Sequence, residues 1–113
     1  MAIKMTSAEL LKQYFNGVLG RADHHAKEVE RVALSIMGAV IWKSDRDIEV
    51  KETPEGGTGN ILWFWSNGNK YALYYNHGTR QIELRDRTMR GETLHKFDNR
   101  TTQDEIFEIF SEL

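Results

Sequence analysis

Apolar positions recur at helical spacing over the first third of the chain and at strand spacing beyond it. Leu10, Leu11, Tyr14, Phe15, Val18 and Leu19 fall on one broad face of a helix. Thr6 and Glu9 form a capping box before them and Gly20 is a natural stop, so a helix is predicted from Thr6 to Leu19. A second stripe, Val29, Val32, Ala33, Ile36, Met37 and Val40, predicts another helix that Asp23 can cap. Its end has two readings. Gly38 would stop it early and leave a strand at Ala39 to Trp42, whereas Ser44-Asp45-Arg46-Asp47 is the better turn and carries the helix to Lys43.

The period then falls to two. Ile48 and Val50 alternate with Glu49 and Lys51, which predicts a half-buried strand over Asp47 to Glu52. Pro54-Glu55-Gly56-Gly57-Thr58-Gly59 reads as a flexible turn segment. It is not a phosphate loop, because no Gly-Lys-Ser/Thr and no helix follow it. Ile61 to Leu84 reads as three antiparallel strands joined at Asn67-Gly68, the strongest short hairpin signal, and at His77-Gly78. Two-residue turns at both places would pair Phe64 with Tyr71, Leu62 and Ile82 with Leu73, and Leu84 with Tyr71. One face then carries Leu62, Phe64, Tyr71, Leu73, Ile82 and Leu84 as the core side. The other carries Trp63, Trp65, Lys70, Ala72, Tyr74, Gln81, Glu83 and Arg85.

After a turn at Met89-Arg90-Gly91, Glu92 to Asp98 is expected as a further strand whose faces stay unassigned. Thr102 and Glu105 repeat the capping box and open a last helix, with Ile106, Phe107, Ile109, Phe110 and Leu113 on its apolar side. The order is helix, helix, about five antiparallel strands, helix. Such segregation predicts an α+β two-layer sandwich whose helices share one face of a meander sheet.

Composition narrows the classes. The chain of 113 residues is the size of one domain, residues 1–113, and 40% hydrophobic content with 28% charged is globular. The absence of cysteine excludes disulfides and thiolate metal sites. A formal net charge of −2 supplies no general attraction for nucleic acid or an anionic membrane. Without an apolar span or a secretory leader, the expected setting is the cytoplasm, and the glycosylation sequon at Asn99-Arg100-Thr101 is read as chance.

Candidate chemistry is sparse. Adjacent His24 and His25 diverge by roughly 100° on a helix, so only His24 with Glu28 could share a metal, and no third ligand is evident. His77 reads as a turn residue and His95 as a strand residue. No cofactor and no catalytic residue is assigned. Glu83 has two possible fates among the aromatics: burial could raise its pKa as in a general acid, or Lys70 or Arg85 could hold it in an ion pair. The reading favours the ion pair.

The interesting surface is therefore the aromatic one, since Ile61 to Leu84 holds two of the three tryptophans and three of the four tyrosines. Trp63, Trp65, Lys70, Tyr74, Glu83 and Arg85 are the candidate binding or interface residues. Tryptophan and tyrosine are enriched at interface cores, which points to a homodimer or a protein partner on this face. A helix covering the face as a second core is the structural alternative. A small-molecule-binding or weakly enzymatic cleft near Trp63, Tyr74 and Glu83 is the alternative function. In size and helix–meander–helix layout the chain resembles the small orphan proteins of bacterial mobile gene cassettes, the integron cassettes. That resemblance implies no activity and no site residue.

Overall fold

Asn67 and Gly68 both take positive φ, +53° and +80°, as a type I′ turn requires, and the widest strands of the sheet grow from that hairpin. The structure is a computed structural model that describes residues 2–4, 9, 12, 29–52, 58–76 and 78–113. Of the predicted first helix only Glu9 and Lys12 are described, both helical and exposed. The Asp23 cap, His24, His25, Glu28 and His77 lie outside the described residues.

The described elements are β1 (Ala2–Lys4), α1 (Glu30–Lys43), β2 (Glu49–Glu52), β3 (Thr58–Ser66), β4 (Asn69–Asn76), β5 (Gln81–Asp86), β6 (Thr93–Phe97) and α2 (Gln103–Ser111). All six strands are antiparallel to their neighbours, in the order β1-β2-β3-β4-β5-β6. The α+β sandwich is as predicted, with one strand more than the pattern suggested. That strand is β1, which pairs Ile3 with Val50 and is too short for periodicity to mark. Thr58 and Gly59, read as turn, begin β3.

Helix α1 runs to Lys43 and stops at Ser44, whose N–H donates to the Val40 carbonyl at 2.9 Å. Gly38 does not break it. Its own N-cap residue, Val29, offers no side-chain acceptor. Asn99, far away in sequence, supplies one: its Oδ1 accepts the N–H groups of Arg31 and Val32 at 3.0 and 3.1 Å. Two otherwise orphaned donors are satisfied, and α1 is tied to the loop before α2. Asn99→Ala is expected to lower stability by about 1–2 kcal/mol, the range for losing a strong N-cap. Urea unfolding measures this, and an unchanged midpoint would remove the capping role.

The first hairpin keeps its predicted register, Ser66 opposite Asn69 and Leu62 opposite Leu73. The second does not. Asn76 pairs with Gln81, so four residues separate the strands instead of two. Asn76 organises this loop: its Oδ1 accepts the Gly78 and Thr79 N–H groups at 2.9 and 3.3 Å, and its carbonyl accepts Arg80 N–H at 2.7 Å. Arg80 takes φ +58° to close it. Leu73 consequently faces Leu84, not Ile82, Tyr71 faces Asp86, not Leu84, and Glu83 faces Tyr74. A shift of two leaves every side chain on its predicted face, because strand periodicity is two.

That face is the core. Leu62, Phe64, Leu73, Ile82 and Leu84 are fully buried beneath Ile36 and Val40 of α1 and Ile106 and Phe110 of α2. Phe110 packs between Phe64 of β3 and Phe97 of β6, with ring centroids 6.0 and 6.2 Å away. The Thr102–Glu105 capping box forms in both directions, at 2.8 and 3.1 Å. Phe107 departs from expectation: it is 61% exposed.

Candidate functional site

The opposite face of the sheet gathers all six residues singled out from the sequence. Alternation on β3 presents Trp63 and Trp65, β4 presents Lys70 and Tyr74, and β5 presents Glu83 and Arg85. Cross-strand pairing sets Trp65 beside Lys70, Trp63 and Arg85 on either side of Ala72, and Tyr74 beside Glu83. Ala72 is fully buried at the centre. A residue this small lets the flanking long side chains lie down over the sheet. Both described helices that pack on the sheet, α1 and α2, do so on the core side, so neither is the cover that the sequence left open.

Cations dress the aromatic rings. Lys70 Nζ lies 5.5 Å from the Trp63 centroid and 5.4 Å from that of Trp65. Arg46 stands 5.4 Å from Trp65, and Arg85 stands 5.5 Å from Tyr74. These distances are within the range where the ring quadrupole attracts a cation. Trp63, Trp65, Lys70, Tyr74 and Arg85 are all half-buried. Lys70 has no carboxylate partner among the described residues. The indole Nε1 of Trp63 is buried without an acceptor among them.

Glu83 is the electrostatic anchor, only 2% exposed. Its Oε1 accepts Arg85 Nε at 2.9 Å, a second and shorter bond from Arg85 Nη2, and Thr93 Oγ1 at 3.5 Å. Its Oε2 accepts Asn76 Nδ2 at 2.9 Å. Arg85 Nη1 donates in turn to the Met89 carbonyl at 2.7 Å. Burial pushes the Glu83 pKa up, but the hydrogen bonds from Arg85 and Asn76 and the charges of Arg85 and Lys96 more than reverse it. The carboxyl is therefore held ionised, and of its two predicted fates the ion pair is the one realised. At the rim, Asp98 accepts Arg100 Nη2 at 3.0 Å and Gln81 Nε2 at 3.2 Å. The Arg100 hydrogen bond, against the opposing effect of burial, holds Asp98 below the usual carboxylate range.

Three contributors escaped the sequence pattern. Arg46 sits in the turn after α1, which is brought to the sheet by the Asp45 N–H bond to the Trp65 carbonyl, 2.9 Å, and the Gly68 N–H bond to Asp45 Oδ2, 3.2 Å. Asn76 and Thr93 reach Glu83 through the long β4–β5 loop and the irregular β5–β6 pairing. Their only sequence signal is polarity. His95 is exposed, with Phe97 the nearby ring at 6.3 Å. Among the described residues no cluster of three His, Cys, Asp or Glu could hold a metal, and no helix is long and apolar enough to cross a membrane.

The profile of the family described as "Integron cassette protein VCH_CASS1 chain" matches residues 11–106. The chain belongs to this integron cassette family. The matched span contains the whole aromatic face, its Arg46 and Asn76 additions, and α1. The layout resemblance noted from the sequence is thus a family relationship. The family's description names no activity, and no curated protein matches the chain closely enough to supply one.

Proposed function

We propose that this cassette protein is a small non-enzymatic binding protein of the cytoplasm that takes a partner protein through the aromatic sheet face. The observation that carries the reading is the pair of half-buried tryptophans sharing Lys70, whose ammonium has no carboxylate partner among the described residues. Rings of this kind supply contact area at low entropic cost, and the cations over them favour a partner that carries carboxylates. A second copy of the same face is a poorer match, because Lys70, Arg46 and Arg85 would meet their own kind. The cleft reading near Trp63, Tyr74 and Glu83 is weaker, since Glu83 is already committed to Arg85 and Asn76 and is not poised as an acid.

Titration with an oligoglutamate peptide tests this, using a Trp42→Phe background and selective tryptophan excitation so that the signal comes from Trp63 and Trp65. The acidic peptide is expected to shift their emission, with oligolysine inert and added salt weakening the response. Lys70→Glu should reduce the affinity about tenfold or more by setting like charges together. A flat titration, or one indifferent to Lys70→Glu, would sink the reading.

A further inference from the structure

Helix α1 is apolar on two opposite sides. Val32, Ala33, Ile36, Met37 and Val40 are buried, while Leu34, Ile41 and Trp42 are 65, 61 and 51% exposed. At roughly 100° per residue the exposed set falls in one arc centred on Gly38, directly away from the core. Phe107 of α2, 61% exposed, extends it by stacking on Trp42 with centroids 5.1 Å apart and planes within 8°. A groove of about 290 Å³ between the two helices, lined by Ser35, Gly38, Trp42 and Phe107 among others, adds a recess. A helix that is apolar all round is ordinarily a covered helix, and contiguous apolar surface rarely stays bare on a monomer.

We infer that a second copy of this chain covers this surface, with the two α1 helices packed antiparallel about a twofold axis beside Gly38. The stripe is self-complementary about that residue. Leu34 and Trp42 stand four positions before and after Gly38, so a twofold there packs Leu34 of each copy on Trp42 of the other. Arg31 stands on the arc seven positions before it and Asp45 lies just past the end of the helix, so the twofold brings an arginine near an aspartate at both ends. Arg31 has no carboxylate partner among the described residues. Asp45 accepts the Gly68 N–H at 3.2 Å and lies 3.7 Å from Arg46, yet its side chain stays 40% exposed and has acceptor capacity left.

Gly38 itself supports the crossing. A Cβ built on it meets nothing within 4 Å among the described residues, so packing among them gives no reason for a glycine there. In a helix interior glycine costs about 1 kcal/mol relative to alanine. Close approach of a second backbone is a reason. This contact lies on the helix layer, away from the sheet face, so it stands or falls independently of the partner reading above.

Sedimentation velocity of the full chain from low to high micromolar concentration tests it. The wild type is expected to dimerise with rising concentration. Gly38→Leu and Ile41→Lys, both on open surface and so compatible with folding, should each raise the dimer dissociation constant by at least ~100-fold, with cooperative unfolding retained. Arg31→Glu or Asp45→Lys alone should weaken the dimer about tenfold, and the two together in one chain should restore it to within about threefold. A wild type that stays monomeric overturns the inference. So does a dimer indifferent to Gly38→Leu and Ile41→Lys, or one dissociated by Trp63→Ala instead, which would put the contact on the sheet. A dimer that ignores the charge exchange overturns the twofold at Gly38.

Discussion

Phe110→Ala is expected to destabilise the protein by about 3–5 kcal/mol, the cost of removing a large aromatic from a packed core. Phe110 is fully buried, stacks on Phe64 and meets Phe97 at a tilt, so its ring joins α2 to two strands at once. Helix α2 has only nine residues, too few to persist without tertiary contacts. Apart from Ile106, its other apolar residues are half-buried or exposed. A cavity at Phe110 therefore removes the main hold on the helix as well as ring contacts. With total stabilities of small domains at about 5–15 kcal/mol, the variant should unfold at much lower denaturant or fail to fold at ordinary temperature. Chemical denaturation followed by far-ultraviolet circular dichroism gives the number. Phe110→Leu, which keeps most of the apolar volume, should recover more than half of the loss. A cost for Phe110→Ala as small as that of a surface change would mean α2 is held by something other than this ring.

The second large effect is expected at Glu83. Removing one member of a buried ion pair leaves the other charge uncompensated and costs about 3–5 kcal/mol. The Arg85 side chain is 22% exposed and can turn partly toward water, so about 2–3 kcal/mol is expected for Glu83→Ala near neutral pH. The contribution has a sign in pH. The folded carboxyl sits below its ordinary value of 4.5, so its stabilisation is complete above that value and is lost as pH falls through the folded pKa. The gap in stability between wild type and Glu83→Gln should accordingly be widest near neutrality and shrink in acid. A gap that stays constant from neutral to strongly acid pH would show that the ionised carboxylate is not its source. Glu83→Gln combined with Arg85→Met should recover part of the loss, because no unpaired charge then remains.

Much of the fold was legible because its signals are local. The Asn67-Gly68 turn dictates a two-residue hairpin through backbone conformation alone, and strand alternation then assigns Leu62 and Phe64 to one face and Trp63 and Trp65 to the other. The Thr102–Glu105 box likewise starts α2 where the pattern put it. At His77-Gly78 the local signal misled, since Asn76 closes a longer loop with its own side chain. The error did no harm to the faces because the register moved by an even number of residues.

The sequence by itself determined the described elements from α1 to α2, the α+β layering, the two faces of the meander and the six residues that share the outer one, though not the short β1. All of these follow from periods of 2 and 3.6 and from turn chemistry, which act over a few residues. Tertiary structure alone decided that Asn99 caps α1, that Arg46 and Asn76 join the aromatic face, and that Phe107 stays outside the core. Those outcomes depend on which distant segments dock together, and no spacing along the chain encodes that. Trp63 and Trp65 were visible as a surface from the start. The Lys70 that sits over both of them, and the outward arc centred on Gly38, had to wait for the packed molecule.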